Sequence, residues 1–148
     1  MKLLIKNKKA YFDYKILENL EAGIVLTGAE VKSIKQSQIN LKGAYVAITG
    51  NEANLLNAHI APYKFANQNS YNPTRSRKLL LHKKEIDYLI GKSREKGITI
   101  LPLSAYTKKG LIKLEVGIGQ GKKKYDKRET IKKREGEREI QRAIKQRK

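Results

Sequence analysis

The chain has 148 residues, a length that suits one domain with an appendage. Its 33 Lys and Arg outnumber its 14 Asp and Glu, which gives a formal net charge of +19. This surplus indicates a polyanionic partner, and nucleic acid is favoured over an anionic membrane because the basic segments lack a long apolar helix face. The lack of cysteine excludes disulfides and thiolate chemistry, and two histidines are too few for a structural zinc site.

The N-terminal residues are basic and only briefly apolar. The apolar run from Leu3 to Ile5 is too short to predict a signal peptide or a membrane-spanning helix, so we expect a cytoplasmic protein with no membrane partner. Residues 1–9 are predicted to form a loose basic arm, in which Lys8 is a candidate RNA contact.

The first regular elements are predicted to be a strand and a short helix. Tyr11 to Leu26 has a strand-like pattern, with Gly23 as a candidate bulge or point of close approach. Thr27 to Glu30 has the pattern of a capping box, in which the threonine and glutamate side chains each accept a hydrogen bond from a free backbone N–H. We therefore expect a short helix whose narrow apolar face is made by Val31 and Ile34.

The middle of the chain predicts a hairpin, a loop and a third apolar element. Alternating patterns at 44–48 and 55–60 predict two strands, joined by a turn at Gly50 to Glu52. The polar run from Asn67 to Asn72 predicts a surface loop. Leu79 to Leu81 then predict a short buried strand or a tight turn.

The last part of the predicted core holds a long helix and two strands. Glu85 to Lys96 has a helical apolar face and stops at Gly97, a residue typical of helix C-termini. Ile98 to Tyr106 and Leu111 to Ile118 predict strands joined by a short turn. Together, about six strands with one long and one short flanking helix favour a mainly β fold, a small antiparallel barrel of the oligonucleotide-binding (OB) kind.

The composition changes after Gly121. Residues 122–148 are strongly basic and hold few apolar side chains, so they cannot bury enough surface to offset the entropy of ordering and are predicted to be disordered when free. The expected organisation is a barrel domain over residues 1–121 followed by a basic tail over 122–148. Ile140 and Ile144 are one helical turn apart, which makes them candidate anchors for a helix formed on a partner.

Two patterns that resemble catalytic motifs do not meet the requirements of those motifs. The segment from Gly117 to Gly121 is not a Walker A loop, because the motif's first Gly and its Ser or Thr are missing, and it is interpreted as a flexible strand exit. Ser76, His82 and Asp87 are close in sequence but lack a nucleophile elbow. We expect no enzymatic activity, no cofactor and no metal.

Aromatic residues interleaved with lysines are the main positive signal. Tyr63 to Phe65, with Lys between the two rings, and Tyr125 have the composition of surfaces that hold phosphates and unstacked bases. Tyr125 lies within the basic stretch Gly121 to Arg128, in which Lys122 and Lys123 are candidate RNA contacts. A core role for Tyr125 is disfavoured because few apolar residues surround it in the sequence.

Five sequence blocks, taken in order, resemble the signature of the SmpB (small protein B) family, the SsrA- or tmRNA-binding proteins of bacterial trans-translation. The blocks are Glu21 to Leu26, Gly28 to Ser33, His59 to Tyr63, Arg75 to His82 and Gly121 to Arg128. The resemblance implies a barrel that binds the tRNA-like domain of tmRNA and delivers it to ribosomes stalled on mRNA without a stop codon. It also implies that the tail occupies the decoding site and mRNA channel of the ribosome, and that the protein itself carries out no chemistry.

The resemblance further implies two sets of site residues. One set contacts RNA and comprises Asn7, Glu21, Leu80 and Lys113; the other contacts the decoding site and comprises Tyr125, Asp126, Lys127 and Arg128. Asn7 and Lys113 can donate hydrogen bonds to phosphate or sugar, whereas Glu21 can only accept one, from a base amino group or a 2′-OH. Leu80 either contacts RNA or supports the core.

Two other functions remain open at this level. A ribosomal or ribosome-assembly protein would use the basic tail to thread rRNA, and a general single-strand-binding barrel would accept any unpaired strand. A tmRNA-binding protein, in contrast, should prefer a folded, tRNA-like RNA. In each case we expect a monomer when the protein is free.

Overall fold

The computed structural model describes residues 1–66 and 70–122. Within these residues the fold is mainly β, as predicted, with nine strands and three helices. In chain order they are β1 (Lys2–Lys6), α1 (Lys8–Asp13), β2 (Tyr14–Ile24), α2 (Gly28–Lys35), β3 (Ile39–Asn40), β4 (Tyr45–Thr49), β5 (Glu52–Leu56), β6 (His59–Ile60), β7 (Arg77–Leu80), α3 (Lys83–Ser93), β8 (Ile98–Lys108) and β9 (Leu111–Gly121). The predicted count of about six strands and two helices is too low, because it lacks β1, α1 and β3 and merges β6 with β5.

Seven strands form one antiparallel sheet, as the barrel prediction requires. Its strand order is β1-β8-β9-β2-β7-β5-β4, and β3 pairs with β6 in a separate small ladder. All the pairings are antiparallel, and two of them are hairpins, β4–β5 and β8–β9. The sheet curls around a core, since β4 at one end of the order comes close to β8 near the other end.

The core follows the alternation that the sequence shows in β9. Ile112, Leu114, Val116 and Ile118 are at most 9% exposed, whereas Leu111 on the opposite face is 61% exposed. Burial of apolar surface at about 25 cal/mol per Å² makes these inward side chains the main source of stability. The register of β9 is thereby fixed, because a slip of one residue would expose all of them.

A smaller apolar cluster lies on the outer face of the sheet, beneath α1. Ala10, Leu101 and Leu103 are buried there, and partly buried tyrosines pack beside them. Gly117 makes room for this cluster, because a Cβ atom added to it would lie 2.6 Å from Cδ1 of Leu103. The interpretation of the Gly-rich segment as a flexible strand exit is therefore wrong: Gly117 and Gly119 are paired residues inside β9.

The prediction of a loose arm over residues 1–9 is also wrong. Lys2 to Lys6 form an edge strand that pairs with β8, and Leu4 is only 8% exposed in the core. Asn7 then begins α1 by accepting a hydrogen bond from the backbone N–H of Ala10 at 3.2 Å. The alternation around Leu4 is too short for sequence reasoning to separate a strand from a basic extension.

The two predicted helices are present with adjusted ends. In α2 the capping box is confirmed: Thr27 Oγ1 accepts from the N–H of Glu30 at 3.2 Å, and Glu30 Oε1 accepts from the N–H of Thr27 at 2.9 Å. Helix α3 begins two residues earlier than predicted and ends at Ser93, before Gly97, which has a φ of +79°. No helix in the described part of the chain is long and apolar enough to cross a membrane.

Candidate nucleic-acid interface

Three of the predicted RNA-binding residues meet on the outer face of the sheet. Gly23 in β2 is paired with Lys113 of β9 on one side and with Leu80 of β7 on the other. Glu21 lies two residues before Gly23 and therefore on the same face of β2. We call the four residues Glu21, Gly23, Leu80 and Lys113 the outer patch; they line an open groove together with Leu81, His82 and Glu85.

Leu80 is a surface residue. It is 55% exposed, while its neighbour Leu79 is 2% exposed in the core. Leu80 leans over Gly23, since a Cβ atom on Gly23 would lie 3.1 Å from Cβ of Leu80. Of the two alternatives for Leu80, core support is therefore excluded, and the side chain offers an apolar surface beside the charged groups of the outer patch.

Glu21 is a fixed hydrogen-bond acceptor at one end of the outer patch. Its carboxylate accepts from the hydroxyl of Tyr106 and, at 3.4 Å, from Nζ of Lys108. The Tyr106 hydrogen bond lowers the pKa of the Glu21 carboxyl against the opposing effect of desolvation, and the charges of Lys108 and Lys113 lower it further. Burial and the neighbouring Glu21 in turn raise the pKa of Tyr106, so the phenol remains a donor. The remaining acceptor capacity of Glu21 is available to a base amino group or a 2′-OH.

A second carboxylate, Glu115, lies directly across the ladder from Glu21. It accepts from Oγ of Ser104 at 3.0 Å and from Nδ2 of Asn19 at 3.1 Å. Glu115 is a residue of this surface that sequence reasoning missed. The sequence signal for its location is that Glu115 follows Lys113 by two residues, which puts both side chains on the same face of β9.

Asn7 does not belong to this surface. It is 5% exposed, and its Nδ2 donates to the carbonyl oxygens of Pro102 at 2.9 Å and Leu41 at 3.2 Å. Its Oδ1 is the acceptor that caps α1. The prediction that Asn7 donates to phosphate or sugar is therefore wrong for this conformation, because its amide ties the N-terminal segment to the core.

Lys8 and Lys122 lie near α1 rather than in the outer patch. Lys8 is exposed at the first position of the helix. Lys122 is half-buried: its Nζ donates to the carbonyl of Tyr11 at 3.1 Å, and its backbone N–H donates to the carbonyl of Asp13 at 2.9 Å. The Lys122 side chain thus holds the end of β9 against α1. The other predicted site residues lie outside the described part of the chain: Lys123, Tyr125, Asp126, Lys127, Arg128, Ile140 and Ile144.

A buried ion-pair network ties α2 to β7, the strand that carries Leu80. Glu30 is 1% exposed and accepts from Arg75, from Arg77 Nε at 2.9 Å and from Tyr71 at 3.2 Å. Burial would raise the pKa of the Glu30 carboxyl, but the hydrogen bonds from Arg75, from the Thr27 N–H and from Arg77 outweigh it and lower the pKa to about 2. Sequence reasoning found only the capping role of Glu30, since partners more than 40 residues away leave no local pattern.

The described residues hold no cluster of three His, Cys, Asp or Glu side chains that could bind a metal ion. The chemistry that the outer patch supports is recognition: one cation, one ionised acceptor and one exposed apolar side chain within a groove. Phosphate, a base edge and an unstacked base are the groups that match these three features.

A family model described as SmpB protein matches residues 4–146 of the chain. The chain belongs to the SmpB family. An SsrA-binding protein from Exiguobacterium sp. is 52% identical over 144 residues, which cover 97% of this chain and 92% of the relative. An SsrA-binding protein from Sulfurihydrogenibium sp. is 54% identical over 144 residues, covering 97% and 95%.

A solved structure supports the same assignment to the SmpB family. The matching chain comes from the structure described as "tmRNA-SmpB: a journey to the center of the bacterial ribosome". It is 41% identical to this chain, with a TM-score of 0.69, and the match covers 81% of this chain and 85% of that chain. The resemblance to SmpB seen in the sequence blocks is thereby confirmed.

Proposed function

We propose that this chain is a tmRNA-binding protein of trans-translation, which binds the tRNA-like domain of tmRNA and delivers it to ribosomes stalled on non-stop mRNA. The observation that carries the proposal is the match, over most of the chain, to an SmpB chain solved with tmRNA on the ribosome. The SsrA-binding relatives support it independently, because SsrA is tmRNA and their similarity also extends over nearly the whole chain.

Within this function the outer patch is the RNA-binding surface of the barrel. Lys113 supplies a donor for phosphate, Glu21 an acceptor for a base edge or a 2′-OH, and Leu80 an apolar surface for an unstacked base. The combination suits a shaped RNA with exposed bases better than a plain duplex, because a duplex offers only phosphates and hydroxyls to most side chains.

The tail beyond Lys123 is proposed to act on the ribosome. Tyr125 would stack on a base of the decoding site, while Asp126, Lys127 and Arg128 meet its polar and phosphate groups; Ile140 and Ile144 would anchor a helix in the mRNA channel. The chain then acts as a monomeric binding protein in the cytoplasm, and peptide transfer is left to the ribosome.

Capture from a cell lysate tests the proposal. The full chain is immobilised, and the bound RNA is sequenced after washing at moderate salt, so that weak phosphate contacts are removed. We expect tmRNA to be strongly enriched over bulk tRNA. A random pool of transcripts would contradict the proposal and indicate a general single-strand binder. Stoichiometric recovery of rRNA from unstalled ribosomes would also contradict it and indicate a ribosomal protein.

A further inference from the structure

Two aromatic rings lie on a turn that follows β6. Tyr63 and Ala66 close the turn, with a hydrogen bond from the N–H of Ala66 to the carbonyl of Tyr63 at 3.1 Å. Phe65, at the tip, is 78% exposed, compared with 44% for Tyr88 and 39% for Tyr45. An aromatic ring with this exposure at the tip of a turn contributes little to the core, so its surface is available to a partner.

Each of the two rings has a lysine beside it. The ring centroids of Tyr63 and Phe65 are 5.6 Å apart, in an edge-to-face arrangement with an interplanar angle of 68°. Nζ of Lys32, from α2, lies 5.3 Å from the Tyr63 centroid, and Nζ of Lys64 lies 5.6 Å from the Phe65 centroid. Phe65 is 78% exposed even with Tyr63 and Lys64 beside it, so much of its ring surface is available for stacking.

The backbone that carries the rings is tied to the rest of the fold. Oγ of Ser33 in α2 donates to the carbonyl of Ala61 at 2.7 Å, and the N–H of Ala61 donates to the carbonyl of Gln38 at 3.0 Å. The N–H of Ile60 donates to the carbonyl of Pro73 at 3.0 Å. The turn thus begins from anchored positions, which reduces the entropy lost when a partner binds to its tip.

We propose that Tyr63 and Phe65, with Lys32 and Lys64, form a stacking site for an unpaired RNA base. An exposed ring such as Phe65, supported by a half-buried ring and neighbouring cations, is a feature that single-strand-binding surfaces use, since the ring stacks on the base and the cations meet the phosphates on either side. Charge favours RNA over a protein surface as the occupant, because the rings are flanked by lysines in a chain of net charge +19. The site shares no residue with the outer patch, and it adds a second RNA contact to the proposed function.

The substitution Phe65→Trp provides a direct test. The chain has no tryptophan, so this variant carries a single fluorescent reporter at the proposed site. The full-length variant is titrated with an oligoadenylate of about eight nucleotides, within the length that one OB-fold covers. We expect the tryptophan emission to be quenched as the RNA binds, with an affinity at least equal to that of the unmodified chain. Unchanged emission at saturation would overturn the proposal.

Phe65→Leu separates stacking from general apolar contact, because leucine has bulk but no π face. With the same oligoadenylate we expect about fivefold or greater loss of affinity for Phe65→Leu and little change for Phe65→Tyr, given the usual strength of base–aromatic stacking. Tyr45→Leu is the matched control at another exposed aromatic and should bind like the unmodified chain. An affinity of Phe65→Leu within about twofold of the unmodified chain would overturn the proposal and indicate an apolar docking surface. The oligoadenylate tests this site without tmRNA, so its failure is distinct from failure of the proposed function.

Discussion

Glu21 is a carboxylate within a surface that is proposed to bind a polyanion. Its hydrogen bond from Tyr106 and its proximity to Lys108 and Lys113 keep it ionised. If Glu21 acted only through its charge, it would oppose RNA binding. Its place in the outer patch is explained if its oxygens accept hydrogen bonds from the RNA.

Glu21→Gln therefore distinguishes charge from hydrogen bonding by the sign of its effect. Removing a negative charge alone should tighten RNA binding, whereas losing a charged acceptor should weaken it by roughly tenfold. We expect the tenfold weakening in titrations with the tRNA-like domain of tmRNA. Glu52→Gln, which removes an exposed carboxylate in β5, is the control and should leave affinity unchanged or slightly higher. Tighter binding by Glu21→Gln would exclude the acceptor role.

Glu30 makes a second prediction, on stability against pH. Its pKa in the folded chain is about 2, compared with a usual value of 4.5. Because the pKa is lower in the folded chain, ionised Glu30 adds to the free energy of unfolding. This contribution is complete above pH 4.5 and is lost as the pH falls toward 2. Glu30→Gln should lower the free energy of unfolding at neutral pH by about 3–5 kcal/mol, because it leaves Arg77 buried without its anion. Denaturant unfolding should also show a weaker dependence on pH between 4.5 and 2 for Glu30→Gln than for the unmodified chain. An identical pH profile would rule out the ion-pair network.

Single residues show where sequence reasoning ends. Leu79 and Leu80 are adjacent and chemically identical, yet one is core and the other is surface. The run of three leucines has no alternation, so the face of each residue was fixed only by the pairing of β7 with β2 and β5. Asn7 shows a different kind of error. Its side-chain amide can donate hydrogen bonds, which suggested an RNA contact, but in the structure it donates to backbone carbonyls that are distant in the sequence.

At the scale of elements, the strands with clear alternation were predictable and the short pieces were not. The hairpins β4–β5 and β8–β9 have local turn residues, including Gly50 and Gly110 at positive φ, so the sequence predicts them. Strands β3 and β6 have two residues each, too few for any period. The predicted boundary between the basic arm and the first strand falls within helix α1, because the Tyr and Phe residues of α1 are also typical of strands.

Two glycines in different elements should respond in opposite ways to alanine. Gly117→Ala adds a Cβ atom 2.6 Å from Cδ1 of Leu103, so we expect a loss of about 1–3 kcal/mol in the free energy of unfolding. Gly91→Ala is the matched control: no atom lies within 4 Å of its Cβ position in α3, and alanine favours helix by up to about 1 kcal/mol. Thermal or denaturant unfolding of both variants measures the difference. Equal stability of the two variants would contradict the close packing of β9 beneath α1.

At the scale of the whole molecule, charge and composition predicted the class of partner, and the sequence blocks predicted the family. The spacing of residues along the sequence could not predict the surface formed by Glu21, Leu80 and Lys113. These residues lie up to 92 positions apart and come together only because β2 pairs with β7 and β9 at Gly23. The division of the chain into a binding barrel and a ribosome-directed tail stays a prediction.

Ending the chain after Lys122 tests this division. Because the outer patch and the end of β9 are retained, the shortened protein should keep an affinity for the tRNA-like domain within about tenfold of the full chain at moderate salt. Trans-translation on a non-stop mRNA, measured as peptide tagging in a reconstituted translation system, should be abolished. The residues proposed to reach the decoding site are removed in the shortened chain. Normal tagging by the shortened chain would contradict the proposed role of the tail.

The most direct test of the central claim is a competition titration with the full chain. Labelled tRNA-like domain of tmRNA is bound at moderate salt and displaced by unlabelled tRNA-like domain or by unlabelled bulk tRNA. The proposed function predicts that the tRNA-like domain displaces the label at a concentration at least about tenfold lower than bulk tRNA does, a free-energy difference of about 1.4 kcal/mol. Equal displacement by the two RNAs would contradict it, because binding would then depend on phosphate charge alone.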